Sequence, residues 1–322
     1  MLPTRRELLR LAGSSGFEAA TLEKVLRLGV ILDGIARHGR LSTGLVLKGG
    51  TALNLFFGPP GRLSVDLDFN YVGQLDRREA ERERPGVEAD LERIARAQNY
   101  TVQRSRDAHA GRTFFLSYQR TLDGLRDRLE IDVNFLHRQG LLAAPPRRMW
   151  RPGDESGCEF SITSFDELAA GKLIALLDRT APRDAWDVAR LPTMSGEEWP
   201  TARSRVIFIA MAGALPHPLH SYADRGLPQL SDADVRRQLH PILVAGDRPT
   251  GEEIRAAAWS VVEPLLDLAP EEREYCDRLQ VGELHTELLF PHDHELASRV
   301  AASPPLLWKA ENARRHHSRR KR

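Results

Sequence analysis

The sequence is poor in cysteine and contains no long apolar run. Only two of its 322 residues are cysteines, Cys158 and Cys276, which argues against a cysteine metal knuckle and is typical of a reducing compartment. The longest uncharged apolar stretches, such as residues 206–215, are too short to cross a bilayer. Residues 1–10 are charged and lack the apolar segment of a secretory signal. We therefore expect a cytoplasmic protein without a membrane partner.

The net charge is also small, since 46 Lys and Arg and 45 Asp and Glu give +1 at pH 7. This balance hides a basic end, because residues 314–322 hold six Lys or Arg and no acid. The rest of the chain then carries −5, six charges below +1. We expect residues 313–322 to form a solvated, disordered tail. A flexible arm that contacts nucleic-acid phosphates is the alternative, and the sequence does not decide between the two.

The composition and the apolar periodicity of the sequence predict an α+β protein. An apolar content of 41% and a charged content of 28% are those of a soluble globular chain. Apolar alternation predicts strands over residues 45–47, 64–69, 100–104, 113–118 and 128–136. Helical spacing predicts helices over 4–13, 21–38, 51–57, 76–98 with a break at Pro85-Gly86, 165–179, 184–190, 197–213, 231–243, 251–267, 270–280 and 293–312. A mixed sheet followed by a helical half predicts a nucleotide-binding domain over 1–150 and an α-helical domain over 151–312 that completes the active site.

The strand over 64–69 places its acids on one face. Successive side chains of a strand point to opposite faces, so Ser64, Asp66, Asp68 and Asn70 share one face and Val65, Leu67 and Phe69 share the other. Two carboxylates side by side repel each other unless a cation lies between them, and Mg²⁺ with a nucleoside triphosphate is the usual occupant. A solvated edge strand is the alternative, but both flanks are strongly apolar and indicate a half-buried strand.

A Gly-Gly turn precedes this acidic strand. Gly49-Gly50-Thr51 follows the short strand over 45–47 and opens a helix, where free N–H groups and the helix dipole bind anions. Glycine lets a phosphate approach the main chain closely. Such a pair is often only a turn, but its link to Asp66 and Asp68 favours a phosphate site.

Asp132 offers a third carboxylate on a neighbouring strand, where Glu130, Asp132 and Asn134 share a face. In two-metal phosphoryl transfer a third carboxylate can bind the cations and accept the proton of the attacking hydroxyl. A cap or a hydrogen bond within the sheet is an equally good interpretation.

A lysine and an acid pair mark the helical half. Ser164 and Glu167 have the spacing of a capping box at the start of the helix that contains Lys172. Lys172 lies beside an apolar stripe, so its ammonium can snorkel to solvent or reach triphosphate oxygens. Asp184 and Asp187 lie one turn apart on the next helix and can face one direction. Acids in the first turn of a helix can simply interact favourably with its dipole. The combination of one isolated lysine with this acid pair nevertheless favours a site.

These motifs together resemble the AbiEii/AbiGii nucleotidyltransferase-like toxins, which include the mycobacterial MenT group. The resemblance spans roughly residues 16–312. The residues that carry it are Leu47–Leu53, Arg62 with Ser64–Phe69, Glu167–Leu173, Arg183–Asp187 and Pro305–Asn312. It implies a DNA polymerase β-like nucleotidyltransferase fold and the role of a toxin in a type IV-like toxin–antitoxin or abortive-infection system.

The resemblance also implies an activity, cofactors and partners. It implies a nucleotidyltransferase that moves a nucleotide from an NTP to the 3′ end of tRNA and blocks aminoacylation and translation. Mg²⁺ or Mn²⁺ is the expected cofactor, tRNA is the expected acceptor, and the antitoxin is expected as a separate chain. We expect a monomer. Two alternatives stay open: an enzyme that nucleotidylates proteins, and a non-catalytic nucleotide- or RNA-binding module regulated by an antitoxin.

The implied roles fall on residues of both halves. Asp66, Asp68, Lys172 and Asp187 are the implied catalytic residues, and Asp66, Asp68 and Asp132 are the expected metal ligands. The expected nucleotide-binding residues are Lys48, Gly49, Gly50, Thr51, Ser64 and Lys172. Because we place Ser64 on the acidic face, we also predict that its phosphorylation, which adds roughly −1.5 to −2 charges, inactivates the protein.

Overall fold

The computed structural model describes residues 2–106, 111–153, 157–196 and 198–320, with side chains up to residue 316. The chain forms two compact units. The first contains Met1–Thr163 and His240–Arg248, and the second contains Ser164–Leu239 and Pro249–Arg322. None of the helices that the structure describes combines the length and the hydropathy that a membrane span requires.

In its described residues the first unit combines five α-helices with a mixed sheet. Its helices are α1 (Arg5–Ser15), α2 (Ala19–Ala36), α3 (Gly39–Gly44), α4 (Gly49–Phe56) and α5 (Arg77–Ala97). Its strands are β1 (Leu45–Lys48), β2 (Asp66–Tyr71), β3 (Thr101–Arg104), β4 (Gly111–Gln119), β5 (Arg126–Asn134), β6 (Pro146–Arg148) and β7 (Glu159–Ser161). The predicted α+β class with a mixed sheet is confirmed.

The main sheet has the order β1-β2-β5-β4-β3. Strands β2 and β5 are parallel, and the other neighbours are antiparallel. Along β2, β4 and β5 the side chains alternate between buried and half-buried. The buried face, which includes Leu67, Phe69, Phe114 and Ile131, forms the core of this unit. The opposite face carries the acidic residues.

The second unit is helical. Its α-helices are α6 (Phe165–Arg179), α7 (Pro182–Met194), α8 (Ala202–Ala212), α9 (Ser221–Arg225), α10 (Asp232–Gln238), α11 (Gly251–Val262), α12 (Pro270–Gln280), α13 (His294–Ala301) and α14 (Pro304–Arg320). Short 3-10 helices cover Glu263–Leu266 and Thr286–Leu288 in this unit and His240–Ile242 in the first unit. Helix α6 begins as predicted, because the Ser164 hydroxyl accepts from the N–H of Glu167.

The boundary between the units differs from the predicted residue 150. Strands β6 and β7 pair with each other, and the N–H of Thr163 donates to the carbonyl of Leu47 at 2.9 Å. Residues up to 163 therefore stay with the first unit. Residues 240–248 return to it, because Leu63 donates its N–H to the carbonyl of Ile242 at 2.7 Å. The predicted division at 150/151 is corrected by these backbone contacts.

Helix α5 is not interrupted at Pro85-Gly86, contrary to prediction. Its buried stripe, which includes Val87, Leu91 and Ala95, continues past the proline. The ion pair between Arg84 and Glu88, at 2.8 Å, spans the same turn. Packing of the apolar stripe therefore outweighs the hydrogen bond that the proline removes.

The predicted disordered tail is helical over residues 313–320, where it continues α14. Arg315 pairs with Glu311 at 2.8 Å, one turn earlier, and Arg314 donates to the carbonyl of Gly282 at 2.8 Å. These contacts hold the helix where composition alone predicted disorder. Residues 321 and 322 lie outside the described part of the chain.

The predicted helix over 293–312 is instead two helices, because Pro304-Pro305 starts a new one.

Candidate active site

The acidic strand has the predicted alternation. In β2, Asp66, Asp68 and Asn70 are half-buried, whereas Leu67, Phe69 and Tyr71 are buried. The apolar side chains fix the strand in the core and leave the carboxylates on the opposite face of the sheet.

Asp68 lies at the centre of a row of functional groups that crosses the sheet. It pairs in register with Lys48 of β1 on one side and with Asp132 of β5 on the other. Side chains opposite each other on neighbouring strands share a face, with Cβ atoms about 5 Å apart. One row therefore carries a lysine and two neighbouring carboxylates. The next row places Asp66 opposite Glu130.

Asp132 is both hydrogen-bonded within the sheet and adjacent to Asp68. The hydroxyl of Thr113 on β4 donates to Oδ1 of Asp132, and these two residues face each other in register. A carboxylate has two oxygens and several lone pairs, so this bond leaves it able to accept a proton or bind a cation. The two interpretations of Asp132 therefore do not exclude each other.

The Gly-Gly turn lies directly against Asp68. Gly49 has a φ of +74°, and a Cβ atom at this position would collide with Oδ2 of Asp68 and lie 3.2 Å from its Cγ. Helix α4 begins at Gly49, and among the described residues no side chain caps this start. The first N–H groups of a helix lack partners within the helix, so they and the dipole form an anion site. The structure thus brings the Gly-Gly turn and the acidic strand together.

The side chain of Thr51 connects the Gly-Gly turn to the acidic strand. Its hydroxyl donates to the main-chain carbonyl of Asp66 at 2.5 Å, and the residue is only 1% exposed. The side chain therefore links α4 to β2 and keeps the turn beside the acids. A contact between the main chain of Thr51 and a nucleotide stays a prediction.

Ser64 lies outside the strand that carries the acids, so the alternation predicted from residue 64 begins only at Asp66. Strand β2 begins at Asp66, and Ser64 precedes it with 7% exposure. The segment before the strand is bound elsewhere, because Arg62 forms an isolated bridge with Leu243. Phosphorylation of Ser64 stays a prediction, and it requires the hydroxyl to leave this buried position first.

His137 is a site neighbour that the sequence did not reveal. It follows β5, and its N–H and that of Leu136 donate to Oδ1 of Asn134 at 3.1 and 2.8 Å. Burial, together with the charges of Lys48 and Arg138, lowers the pKa of His137 below its ordinary value. These effects favour the neutral form of the imidazole. The available signal in the sequence was Asn134. An Asn side chain often caps a turn, which indicates that the chain turns directly after β5.

In the second unit, Lys172 lies between two buried carboxylates. Its Nζ is 3.0 Å from Oδ1 of Asp184 and 2.9 Å from Oδ2 of Asp187, and both acids are 1% exposed. Arg179 donates from Nε to Oδ2 of Asp184 at 2.7 Å. The predicted common direction of Asp184 and Asp187 is confirmed, since both reach the same ammonium.

The electrostatics of this cluster are balanced. Burial opposes the charged form of Asp184, but Lys172 and Arg179 outweigh it and keep the pKa of this carboxyl below its ordinary value. Two cations and two carboxylates therefore form a network that connects α6 to α7. A contact of Lys172 with phosphate and an essential role of Asp187 stay predictions.

The donor set of the acidic face suits Mg²⁺ but does not enclose it. Within the described ranges no three His, Cys, Asp or Glu side chains converge as a complete metal-binding group. Mg²⁺ is commonly bound through one or two carboxylates, with phosphate oxygens and waters as its other ligands. Asp66 and Asp68, with Asp132 beside them, meet this requirement when a triphosphate supplies the rest.

Comparisons with known proteins support a common origin and fold. The model of the family described as "Nucleotidyl transferase AbiEii toxin, Type IV TA system" matches residues 30–248. The structure is similar to MenT4, a nucleotidyltransferase toxin of Mycobacterium tuberculosis H37Rv, with 19% identity, a TM-score of 0.56, and coverage of 93% of this chain and 98% of that chain. JHP933 from Helicobacter pylori gives 15% identity, a TM-score of 0.48, and coverage of 82% and 99%. Among curated proteins, none matches this sequence significantly.

Proposed function

Since the chain belongs to the AbiEii family of nucleotidyltransferase toxins of type IV toxin–antitoxin systems, we propose that it transfers a nucleotide from an NTP to the 3′ end of tRNA. A tRNA extended in this way cannot be aminoacylated, so translation stops. The antitoxin of such a system is a separate partner.

The observation that carries the proposal is the row Lys48, Asp68 and Asp132, with Gly49 packed against Asp68. A helix start that binds anions can hold the phosphates of a nucleoside triphosphate. A pair of neighbouring carboxylates can hold the cation that accompanies them. Lys48 adds a positive charge at the same place. A sheet that only needed stability would not place Asp68 beside Asp132, because like charges opposite each other on a sheet are unfavourable.

Asp66 and Asp68 are the proposed ligands of Mg²⁺, and Asp132 is a further candidate. When bound, the cation neutralises the triphosphate and makes its phosphorus easier to attack. Gly49 and Gly50 would bind phosphate oxygens through their N–H groups, and Lys48 would offset the charge that develops on them.

The proposed chemistry is a single displacement at the α-phosphorus. The terminal ribose hydroxyl of the tRNA attacks, a new oxygen–phosphorus bond forms, and the bond to the β-phosphate oxygen breaks. Pyrophosphate leaves with the electron pair. The hydroxyl proton passes to Asp132, whose orientation the Thr113 hydroxyl fixes.

The proposal is tested by incubating the purified chain with Mg²⁺, total tRNA and each labelled NTP in turn. We expect label on tRNA from at least one NTP, and a loss of at least about 100-fold in Asp68→Asn, because a ligand and its charge disappear. EDTA should abolish labelling. Glu130→Gln is the matched control, since Glu130 lies on the same face but pairs with Arg128 at 2.8 Å.

Three results would contradict the proposal. Label on protein instead of RNA would favour a protein-nucleotidylating enzyme, and NTP binding without any transfer would favour a non-catalytic module. Equal losses in Asp68→Asn and Glu130→Gln would show that the acidic face as a whole, and not the Asp68 row, is responsible.

A further inference from the structure

Helix α14 presents an aromatic side chain to solvent. Trp308 is 70% exposed, more than any other large apolar side chain in the described ranges. Its neighbour Leu307 is 48% exposed. An indole in water exposes a large apolar surface, and Trp is enriched at interfaces, where its apolar ring and its N–H can both be used.

The helix is held firmly enough to fix the direction of this face. Leu306 and Ala310 are buried on its inner side. Lys309 donates from Nζ to the carbonyls of Leu215 at 2.9 Å and Pro216 at 3.1 Å. Arg314 donates to Gly282 two turns after Leu306. The exposure of Trp308 is therefore a property of a docked helix.

Positive charge follows Trp308 along the helix. Arg315 lies seven residues later, which is two turns and the same side, and it is exposed. Residues 309–322 hold seven Lys or Arg and one acid, Glu311. The remainder of the chain carries −5, six charges below +1. The net negative charge of the remainder repels a polyanion, whereas the basic helix attracts it. This attraction acts within a Debye length of about 8 Å at physiological salt.

We propose that the outer face of α14 is a binding surface for single-stranded RNA, in which Trp308 stacks on a base and the exposed Arg315 contacts a phosphate. This inference rests on the proposed function for the identity of its occupant, an unpaired stretch of the tRNA acceptor. Stacking on aromatic residues beside basic groups is how proteins bind unpaired nucleotides without sequence preference.

A membrane surface fits this helix less well. An interfacial helix needs a continuous apolar face directed to the lipid, and here the apolar face with Leu306 and Ala310 is buried in the protein. An acidic protein partner would use the charges but would not need an indole for stacking. The combination of Trp308 with the basic run therefore favours RNA.

The test measures the affinity of the full-length chain for total tRNA without NTP, by filter binding at several salt concentrations. We expect Trp308→Ala to weaken binding about 10-fold and Trp308→Phe to retain most of the affinity, because a phenyl ring still stacks. Leu307→Ala is the matched control on the same turn, and its affinity should stay within about 2-fold of wild type. Equal thermal midpoints of the variants show that folding is unchanged.

The charge is tested by Arg315→Gln. Each lost phosphate contact on a single strand should reduce the slope of log affinity against log salt by about 0.7. An unchanged slope would contradict the assignment of Arg315 to a phosphate.

Two outcomes would overturn the surface as an RNA site. Trp308→Ala could bind tRNA as tightly as Leu307→Ala, or polyglutamate could compete as well as tRNA does, which would indicate an acidic protein. The proposed function fails separately: if binding depends on Trp308 but no labelled NTP reaches tRNA, the surface stands and the transfer reaction does not.

Discussion

At Gly49 the Gly-Gly turn packs directly against the acidic strand. Its backbone has a positive φ, and Asp68 occupies the space into which a Cβ would project. Two physical requirements thus coincide at one position, a left-handed backbone and close packing against a carboxylate.

The substitution Gly49→Ala should therefore be more damaging than its small size suggests. We expect a loss of about 2–4 kcal/mol in the free energy of unfolding, from the strained φ and the forced movement of Asp68. Gly58→Ala is the control, since Gly58 has a φ of +92° with open space around it. In urea unfolding the two losses should differ by at least about 1 kcal/mol, and equal losses would show that Asp68 moves without cost.

Asp184 makes the stability of the second unit dependent on pH. Its pKa is lowered in the folded protein, so its stabilising contribution is complete above the unfolded pKa of about 3.9 and is lost as the pH falls through the folded value.

Asp184→Asn should reduce stability at pH 7 by about 1–3 kcal/mol, because Lys172 and Arg179 lose a charged acceptor. It should also flatten the decline in stability below about pH 4. Thermal melts between pH 3 and 7 measure both effects, with the exposed Asp224→Asn as the control. A decline in Asp184→Asn as steep as in wild type would contradict the assignment.

Helix α5 shows at the scale of an element how packing overrides local propensity. Pro85 is exposed inside a continuous helix, where it removes one hydrogen bond and contributes no packing. The buried stripe on either side compensates for this loss.

Pro85→Ala should stabilise the protein by about 1–3 kcal/mol, because alanine restores the missing hydrogen bond in the same helix. Ala89→Gly, one turn later and also exposed, should have the opposite effect and destabilise by about 1 kcal/mol. Differential scanning calorimetry compares the two, and a lower midpoint for Pro85→Ala would mean that the proline itself fits this helix.

Elements with a strong local signal were predictable. Helices α6 and α12 have the predicted bounds, since a Ser cap starts one and Pro270 starts the other. Strands β6 and β7, with three residues each, were not predicted, because so short a pair has no periodicity to read and is set by tertiary contacts.

For the molecule as a whole, the sequence predicted the fold class but not the long-range contacts between segments. The return of residues 240–248 to the first unit leaves no local trace, since it depends on partners such as Leu63 almost 180 positions earlier in the chain. Likewise the acids were predictable one by one, but their register was not. That Asp68 faces Lys48 and Asp132, while Ser64 lies outside the row, follows from strand pairing.

We propose that the acidic row of this chain directs a nucleotide to the terminal ribose of tRNA. The most direct measurement offers the wild-type chain, with Mg²⁺ and labelled NTP, intact tRNA and tRNA whose terminal diol has been oxidised with periodate. We expect label on the intact tRNA, none on the oxidised tRNA, and at least about 100-fold less label on the intact tRNA with Asp68→Asn. Equal labelling of both RNAs, or labelling by Asp68→Asn at the wild-type level, would contradict the proposal.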